Sequence, residues 1–373
     1  MNLNAVAAAR RTSNVELLWD LVFVFAVTQI SSLMTGDLTW PGLGRALLVM
    51  ALVWWAWSAF VWTANADDPN SGIVRAVLLL ATVLIFITAL ALPHAFAAGA
   101  VLFAISYAIV RLLHLALYMD LWRRHLATFS AIAGFAVTVL AGMGLLVAGA
   151  FAGGLWLIGL WAVAAAIDYA GPGLLTRRRL VALQAVAVEH FAERYSLFVI
   201  ICLGESVVAV GVGAAARGLD ATVIAGATLM LLITIALWWA YFDRLAAAAE
   251  DGLRASTAPV LAASDAYSYI HLVLVAGIIV FAAGARIAVG RIDAPLPLAA
   301  SLAFGGGIAL YLLGVVAFRL RITQRLGVAT VAGAAVAAVV AIAGVNAPAW
   351  VEAVVLLVVL AAVQLLERRS AWR

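Results

Sequence analysis

Apolar stretches long enough to cross a lipid bilayer recur along almost the whole of this chain. A helix needs about 20 mostly apolar residues to cross a hydrocarbon core of about 30 Å. The 373 residues are 67% hydrophobic and 11% charged, whereas soluble domains carry about 25% charged residues. The polar stretches between the apolar ones are too short for a soluble domain of ordinary size. We therefore expect an all-α integral membrane protein.

Twelve transmembrane helices are predicted from these stretches. The first six are 15–34, 42–64, 72–92, 97–118, 126–150 and 154–171, and the last six are 195–215, 221–243, 266–289, 296–318, 326–345 and 349–366. Short breaks marked by Gly or Pro separate the fifth from the sixth and the eleventh from the twelfth. If the number of helices differs from twelve, the difference is expected at 125–171 or 325–366.

Arginine supplies all 22 basic residues, and its distribution predicts the topology. With the N-terminus inside, the cytoplasmic segments hold 17 arginines. The outer segments hold four, and Arg111 lies within the fourth span. Cytoplasmic loops of membrane proteins are enriched in positive charge, so both termini are predicted to be cytoplasmic. The net charge of +4 is thus explained by membrane orientation, and no nucleic-acid partner is expected.

The two halves of the chain resemble each other. VELLWDLVFVFAVTQ followed by LLVMALVWWAWSAF has a counterpart in AERYSLFVIICLGES followed by LLITIALWWAYFDR. Glu16 aligns with Glu193, and Tyr107 of the fourth span corresponds to Tyr311 of the tenth. Six spans per half would make the repeats parallel, related by an axis along the membrane normal.

The repeat predicts three parts. Residues 1–171 form the first six-helix half, and 195–373 form the second. Residues 172–194 form a cytoplasmic linker that contains an arginine cluster and a juxtamembrane helix.

Carboxylates within the spans are the first candidates for function, because a charge at mid-helix costs about 2.5 to 3.5 kcal/mol on insertion scales. Glu205 is predicted near the midplane, either as a hydrogen-bonded carboxyl that locks helix packing or as a proton or cation site. Glu16 and Asp20 lie one turn apart at the mouth of the first span. They either benefit from the helix N-terminus or exchange a proton.

Basic and histidine side chains supply possible partners near the start of the second half. In VEHFAERYS, His190, Glu193 and Arg194 either form local ion pairs on a juxtamembrane helix or face a vestibule. In the second arrangement, Arg194 or His190 pairs with Asp20.

Two further spans carry buried basic groups. Arg111 and His114 share a helix face with Tyr107 in the fourth span, and Arg111 either extends to the inner surface or pairs with Asp20 or Glu205. His271 in the ninth span is a candidate proton relay, although an interhelical hydrogen bond is slightly favoured. The tryptophans of the second and eighth spans are interpreted as packing and interface residues.

No sequence motif indicates a particular enzymatic reaction. The sequence has no Gly-rich phosphate loop with a lysine, no G-x-S-x-G and no H-E-x-x-H. Its one cysteine, Cys202, excludes an intrachain disulfide and a cysteine-based metal site. We expect no cofactor and no metal, and enzymatic activity is not favoured.

Two long motifs resemble the bacterial low temperature requirement A (LtrA) family. They are NVELLWDLVFVFAVTQISSL and EHFAERYSLFVIICLGESVVAVG. The resemblance implies a multi-pass protein of the bacterial cytoplasmic (inner) membrane with a role in growth in the cold, a stress response, but it supplies no biochemical activity. It marks the matching positions Glu16, Asp20, His190, Glu193, Arg194 and Glu205.

Three functional hypotheses follow. The leading one is a transporter or channel coupled to a proton or cation, in which Asp20 and Glu205 carry the ion and Arg111 and His271 act as countercharge or relay. The second is a membrane enzyme that acts on a lipid or isoprenoid, with the same carboxylates as acid and base. The third is a non-catalytic membrane protein. The expected partners are the lipid bilayer and a proton, cation or small molecule; the oligomeric state stays open.

Overall fold

All regular secondary structure is helical in the part of the chain that its computed structural model describes, residues 12–67, 69, 71–124, 129–175, 177 and 186–370, apart from one isolated bridge between Pro295 and Pro348. Within those ranges, twelve helical segments are long and apolar enough to cross a membrane. The predicted all-α class and the predicted number of spans are confirmed. Some of the arginines counted in the topology lie outside the described residues: Arg10, Arg11, Arg178, Arg179 and Arg373.

The described residues form fourteen α-helices. In chain order they are α1 (Asn14–Gly36), α2 (Trp40–Ala66), α3 (Gly72–Ala91), α4 (Ala100–Arg123), α5 (Phe129–Ala152), α6 (Gly154–Ala170), α7 (Val188–Arg217), α8 (Ala221–Phe242), α9 (Leu245–Arg254), α10 (Pro259–Ala263), α11 (His271–Gly290), α12 (Leu298–Thr323), α13 (Val328–Ala343) and α14 (Ala349–Ser370). Two π-helical turns also occur, Gly171–Leu175 after α6 and Ser264–Ile270 before α11.

Helix α7 is longer than the seventh predicted span. It begins at Val188, seven residues before the expected start at Tyr195, and runs for 30 residues, which is about 45 Å. The hydropathy pattern places the start too late because His190 and Arg194 are polar yet buried. These two residues therefore belong to the first turns of a long helix.

The Gly-marked break between the fifth and sixth spans is a tight reversal. Gly153 and Gly154 have φ angles of 68° and 54°, values that only glycine adopts at little cost. Helix α5 ends at Ala152 and α6 begins at Gly154, so the chain turns back within two residues.

The chain forms two compact units. The first comprises Met1–Ile30, Gly44–Tyr195 and Leu253–Ser268, and the second comprises Ser31–Leu43, Ser196–Gly252 and Tyr269–Arg373. Helices α1 and α7 each contribute their N-terminal part to the first unit and their C-terminal part to the second. The division at 171 and 194 that the repeat suggests stays a prediction.

One tyrosine contact occurs in both units. In the first unit, the Tyr107 hydroxyl of α4 donates a hydrogen bond to the Leu52 carbonyl of α2, at 2.8 Å. In the second unit, the Tyr311 hydroxyl of α12 donates to the Leu237 carbonyl of α8, at 2.7 Å. Both tyrosines are fully buried, so in each unit the same kind of bond joins two spans.

Glycines bring α11 and α12 into close contact within the second unit. A Cβ added at Gly307 would lie 2.3 Å from the Phe281 backbone nitrogen, and one at Gly277 would lie 2.4 Å from that of Tyr311. No side chain fits at either position, because the opposing atoms belong to the backbone. This is the small-residue packing typical of membrane helices.

We expect Gly307→Ala to lower the free energy of unfolding by about 1 to 3 kcal/mol, the usual cost of overpacking. Gly306→Ala is the matched control, because a Cβ there has no neighbour within 4 Å and alanine is the better helix former. Thermal unfolding in detergent, followed by tryptophan fluorescence, should rank the variants in that order. Equal melting temperatures would contradict the close approach of the two helices.

Candidate functional site

A buried cluster of charged side chains joins the N-terminal turns of α1 and α7 in the first unit. We call it the Arg194 cluster: Glu16, Asp20, Trp57, His190 and Arg194. Arg194 Nη1 lies 2.7 Å from Glu16 Oε1, and Nη2 lies 2.6 Å from Asp20 Oδ1. His190 Nε2 lies 3.0 Å from Glu16 Oε1. The Trp57 indole N–H donates to Asp20 Oδ1 at 2.8 Å.

Every member of the Arg194 cluster is at most 2% exposed. The pairing of Arg194 with Asp20, one of the alternatives that the sequence leaves open, is present, and Arg194 also binds Glu16. Glu16 has a structural role as well, because its Oε2 accepts from the Ser13 backbone N–H at 2.8 Å, as the glutamate of a capping box does. The carboxylate therefore fixes the start of α1 while its other oxygen contacts α7.

The charges within the Arg194 cluster do not balance by themselves. Two carboxylates face one guanidinium, and the imidazole of His190 is in contact with one of those carboxylates. Asp20 Oδ2 and His190 Nδ1 have no hydrogen-bond partner among the described residues. The cluster therefore has one negative charge too many unless it also holds a proton.

Glu193 lies outside this cluster. It is exposed, and its Oε2 accepts hydrogen bonds from the backbone N–H and the hydroxyl of Thr12, at 3.2 and 2.8 Å. Its structural role is thus to bind the segment that precedes α1.

A second buried ion pair lies within the first unit, and it lines a cavity of about 70 Å³. Arg111 of α4 donates from Nη2 to Asp168 Oδ1 of α6, at 2.7 Å, and both side chains are 2% exposed. The sequence alone predicts that Arg111 either reaches the inner surface or pairs with Asp20 or Glu205. Both expectations are wrong, because Asp168 lies opposite Arg111 on a neighbouring helix.

We call this space the Arg111 cavity. Besides the ion pair, it is lined by His114 and Tyr118 of α4, by Trp55, Ser58, Ala59 and Trp62 of α2, by Phe135, Thr138 and Val139 of α5, and by Pro172, Ser264 and Ser268. Tyr107, Arg111 and His114 are all buried, as their shared helix face predicts. Most of the wall is apolar, with the charged groups at one place in it.

Hydroxyl groups form a network beside the cavity. The Ser58 hydroxyl lies 2.6 Å from Tyr195 Oη and 3.1 Å from Ser268 Oγ. Trp62 donates from its indole N–H to Ser268 Oγ at 2.8 Å. This network attaches α2 and α7 to the π-helical turn that contains Ser268.

The remaining candidates lie in the second unit. Glu205 of α7 is 2% exposed. His271 is fully buried, and its Nε2 lies 2.8 Å from the Tyr241 hydroxyl of α8. The interhelical hydrogen bond favoured for His271 is therefore present.

The sequence does not single out two of the site residues, Asp168 and Trp57. Asp168 is an acid within the sixth predicted span, and the cost of an intramembrane charge was the signal that could have marked it. Trp57 was grouped with packing tryptophans, and nothing in the sequence distinguishes it as the donor to Asp20. In the described part of the chain, no group of three or more His, Cys, Asp or Glu side chains could hold a metal ion.

We expect Arg194→Met to lower the free energy of unfolding by about 3 to 5 kcal/mol, because it leaves Glu16 and Asp20 buried without their cation. Arg254→Met is the control, since the Arg254–Glu189 pair is about half exposed and such pairs contribute about 0 to 1 kcal/mol. Unfolding in mixed micelles should show the difference. Similar losses in both variants would contradict the structural importance of the cluster.

The chain is similar to known proteins along most of its length. An uncharacterised protein of Rhizobium meliloti (strain 1021) is 29% identical over 322 residues, which cover 83% of this chain and 77% of that protein. No solved structure matches the chain. The family model described as bacterial low temperature requirement A protein (LtrA) matches residues 11–365. The chain therefore belongs to the LtrA family, and it is a polytopic helical membrane protein.

Proposed function

We propose that this protein moves protons across the membrane and that the Arg194 cluster is a proton-exchange site. The observation that carries the proposal is the surplus carboxylate: Glu16 and Asp20 contact one Arg194 at 2.6 to 2.7 Å in nearly complete burial. An uncompensated charge in an apolar interior is costly. The cluster reaches neutrality by binding one proton.

Three side chains of the cluster can bind that proton: Glu16, Asp20 and His190. His190 lies 3.0 Å from Glu16, and Arg194 joins Glu16 to Asp20. When titratable groups interact this strongly, the proton belongs to the set rather than to one residue. A proton shared in this way can enter at one group and leave from another, which is what a carrier site requires.

The cluster is well placed for proton entry. Glu16 and His190 are each the third residue of a spanning helix, so both lie near a membrane surface. The positive-inside distribution of arginine supports a cytoplasmic location for that surface, with both termini on the same side. Under this assignment, Asp20 exchanges protons with the cytoplasm.

Glu205 is the proposed second proton site. It is buried in the middle of α7, in the second unit, where a charged carboxyl is costly. The two tyrosine contacts, Tyr107 to α2 and Tyr311 to α8, support the proposed six-helix repeats. The repeats would then share a scaffold, and the Arg194 cluster would combine Glu16, Asp20 and Trp57 of the first repeat with His190 and Arg194 of α7.

Proton flux into proteoliposomes, driven by a potassium-diffusion potential, tests the proposal. We expect flux above that of protein-free vesicles for the wild type and a loss of about tenfold or more for Asp20→Asn. The asparagine keeps an oxygen for Trp57 and leaves Arg194 paired with Glu16, while it removes the surplus charge. Glu205→Gln should also reduce flux.

Glu193→Gln is the matched control, because Glu193 lies on the same helix as Arg194 but is exposed, and we expect flux within twofold of the wild type. Wild-type flux at the level of protein-free vesicles would rule out proton movement. Equal flux in the wild type and in Asp20→Asn would remove Asp20 from the path.

The proposed orientation of the chain in the membrane can be tested separately with reporter fusions. An alkaline phosphatase fused after residue 373 should be inactive, and one fused after Gly218, between α7 and α8, should be active, because that enzyme works only outside the cytoplasm. Green fluorescent protein at the same two positions should give the opposite pattern. Any other pattern would contradict the proposed orientation.

A further inference from the structure

We propose that the Arg111 cavity binds a small molecule of zero net charge, neutral or zwitterionic, that carries both a hydrogen-bond acceptor and a hydrogen-bond donor. No part of the proton proposal uses this cavity. Binding there does not depend on proton movement at the Arg194 cluster.

Several buried polar atoms in the cavity wall are unsatisfied. Arg111 Nε, Arg111 Nη1, Asp168 Oδ2 and His114 Nδ1 have no hydrogen-bond partner among the described residues. The three side chains are at most 5% exposed. A buried polar group without a partner costs about 1 to 3 kcal/mol. So many such atoms beside one cavity indicate that its occupant supplies the missing bonds.

The net charge of the side chains in the cavity wall determines which net charge a bound molecule can carry. Arg111 and Asp168 sum to zero, and the histidine adds no charge when neutral. An ion that entered this apolar space would bring a charge that nothing in the wall compensates. A neutral molecule or a zwitterion avoids that cost.

The arrangement of donors and acceptors sets the second requirement. The free guanidinium nitrogens of Arg111 call for an acceptor oxygen on the ligand, such as that of a carbonyl or carboxylate. Asp168 Oδ2 calls for an N–H, O–H or ammonium donor. Trp55, Trp62 and Phe135 line the rest of the space and accommodate an apolar part. About 70 Å³ holds a few water molecules or a compound of a few non-hydrogen atoms.

The backbone around the cavity is unusual as well. Pro172 belongs to the π-helical turn that follows α6, and Ser264 and Ser268 belong to the one that precedes α11. All three line the cavity. Single π turns occur frequently at functional sites, and here two of them border the same space.

Saturation-transfer NMR on the purified full chain in detergent tests the proposal with four small probes. Acetamide is neutral, glycine is a zwitterion, acetate is an anion and methylammonium is a cation, and each has carbon-bound hydrogens to observe. We expect transfer to acetamide or glycine at least fivefold stronger than to either ion.

The Ala59→Leu variant is the first control, because it fills the cavity and leaves the ion pair in place. We expect it to abolish the transfer. Ala215→Leu adds the same volume at an exposed position of α7 and should have no effect. Absent transfer in the wild type, as for a cavity that holds water alone, would overturn the proposal. So would equal transfer to the ions, or transfer that Ala59→Leu leaves unchanged.

Charge-changing variants sharpen the test. Asp168→Asn leaves a net positive wall and should shift the preference to acetate, whereas Arg111→Gln should shift it to methylammonium. If these variants fold and keep the wild-type preference, the ion pair does not select the ligand. Because the readout is binding, its outcome is independent of the flux measured for Asp20→Asn.

Discussion

The first unit depends on the pairing of buried guanidinium groups with carboxylates from other helices. Arg194 binds Glu16 and Asp20, so it joins α7 to α1, and Arg111 binds Asp168, so it joins α4 to α6. Removing one partner of such a pair leaves a charge in an apolar interior and costs about 3 to 5 kcal/mol. Apolar contacts between membrane helices are exchangeable with lipid contacts, whereas these ion pairs are not. They therefore specify which helices are neighbours.

The two pairings differ in charge, and this difference gives them different chemistry. Around Arg194, two carboxylates share one guanidinium, and His190 adds a group that can take up a proton. Around Arg111, one carboxylate balances one guanidinium, and the side chains that carry unpartnered atoms line a cavity. A surplus acid favours proton exchange, while a balanced pair with unsatisfied donors and acceptors favours a polar ligand without net charge.

Hydropathy predicts those features of the fold that depend only on local composition. The twelve spans and the Gly153 turn follow from stretches of sequence that act alone, and the Arg194–Asp20 pair follows from opposite charges at two helix starts. The partner of Arg111 could not be predicted in this way, because 57 residues separate it from Asp168 and only packing brings them together. The predicted start of α7 is wrong for the same reason. His190 and Arg194 count as polar when hydropathy is averaged over neighbouring residues, but tertiary contacts bury them.

Helix α2 contributes residues to both the Arg194 cluster and the Arg111 cavity. Trp57 donates to Asp20, and its neighbour Ser58 lines the Arg111 cavity and contacts Tyr195, the residue after Arg194. A change in the charge of Asp20 alters the acceptor of Trp57 and so acts directly on α2. The same helix supplies four residues of the cavity wall. Trp57 of the Arg194 cluster and four residues in the wall of the Arg111 cavity therefore lie on one helix, so the packing of α2 positions both sites within the first unit.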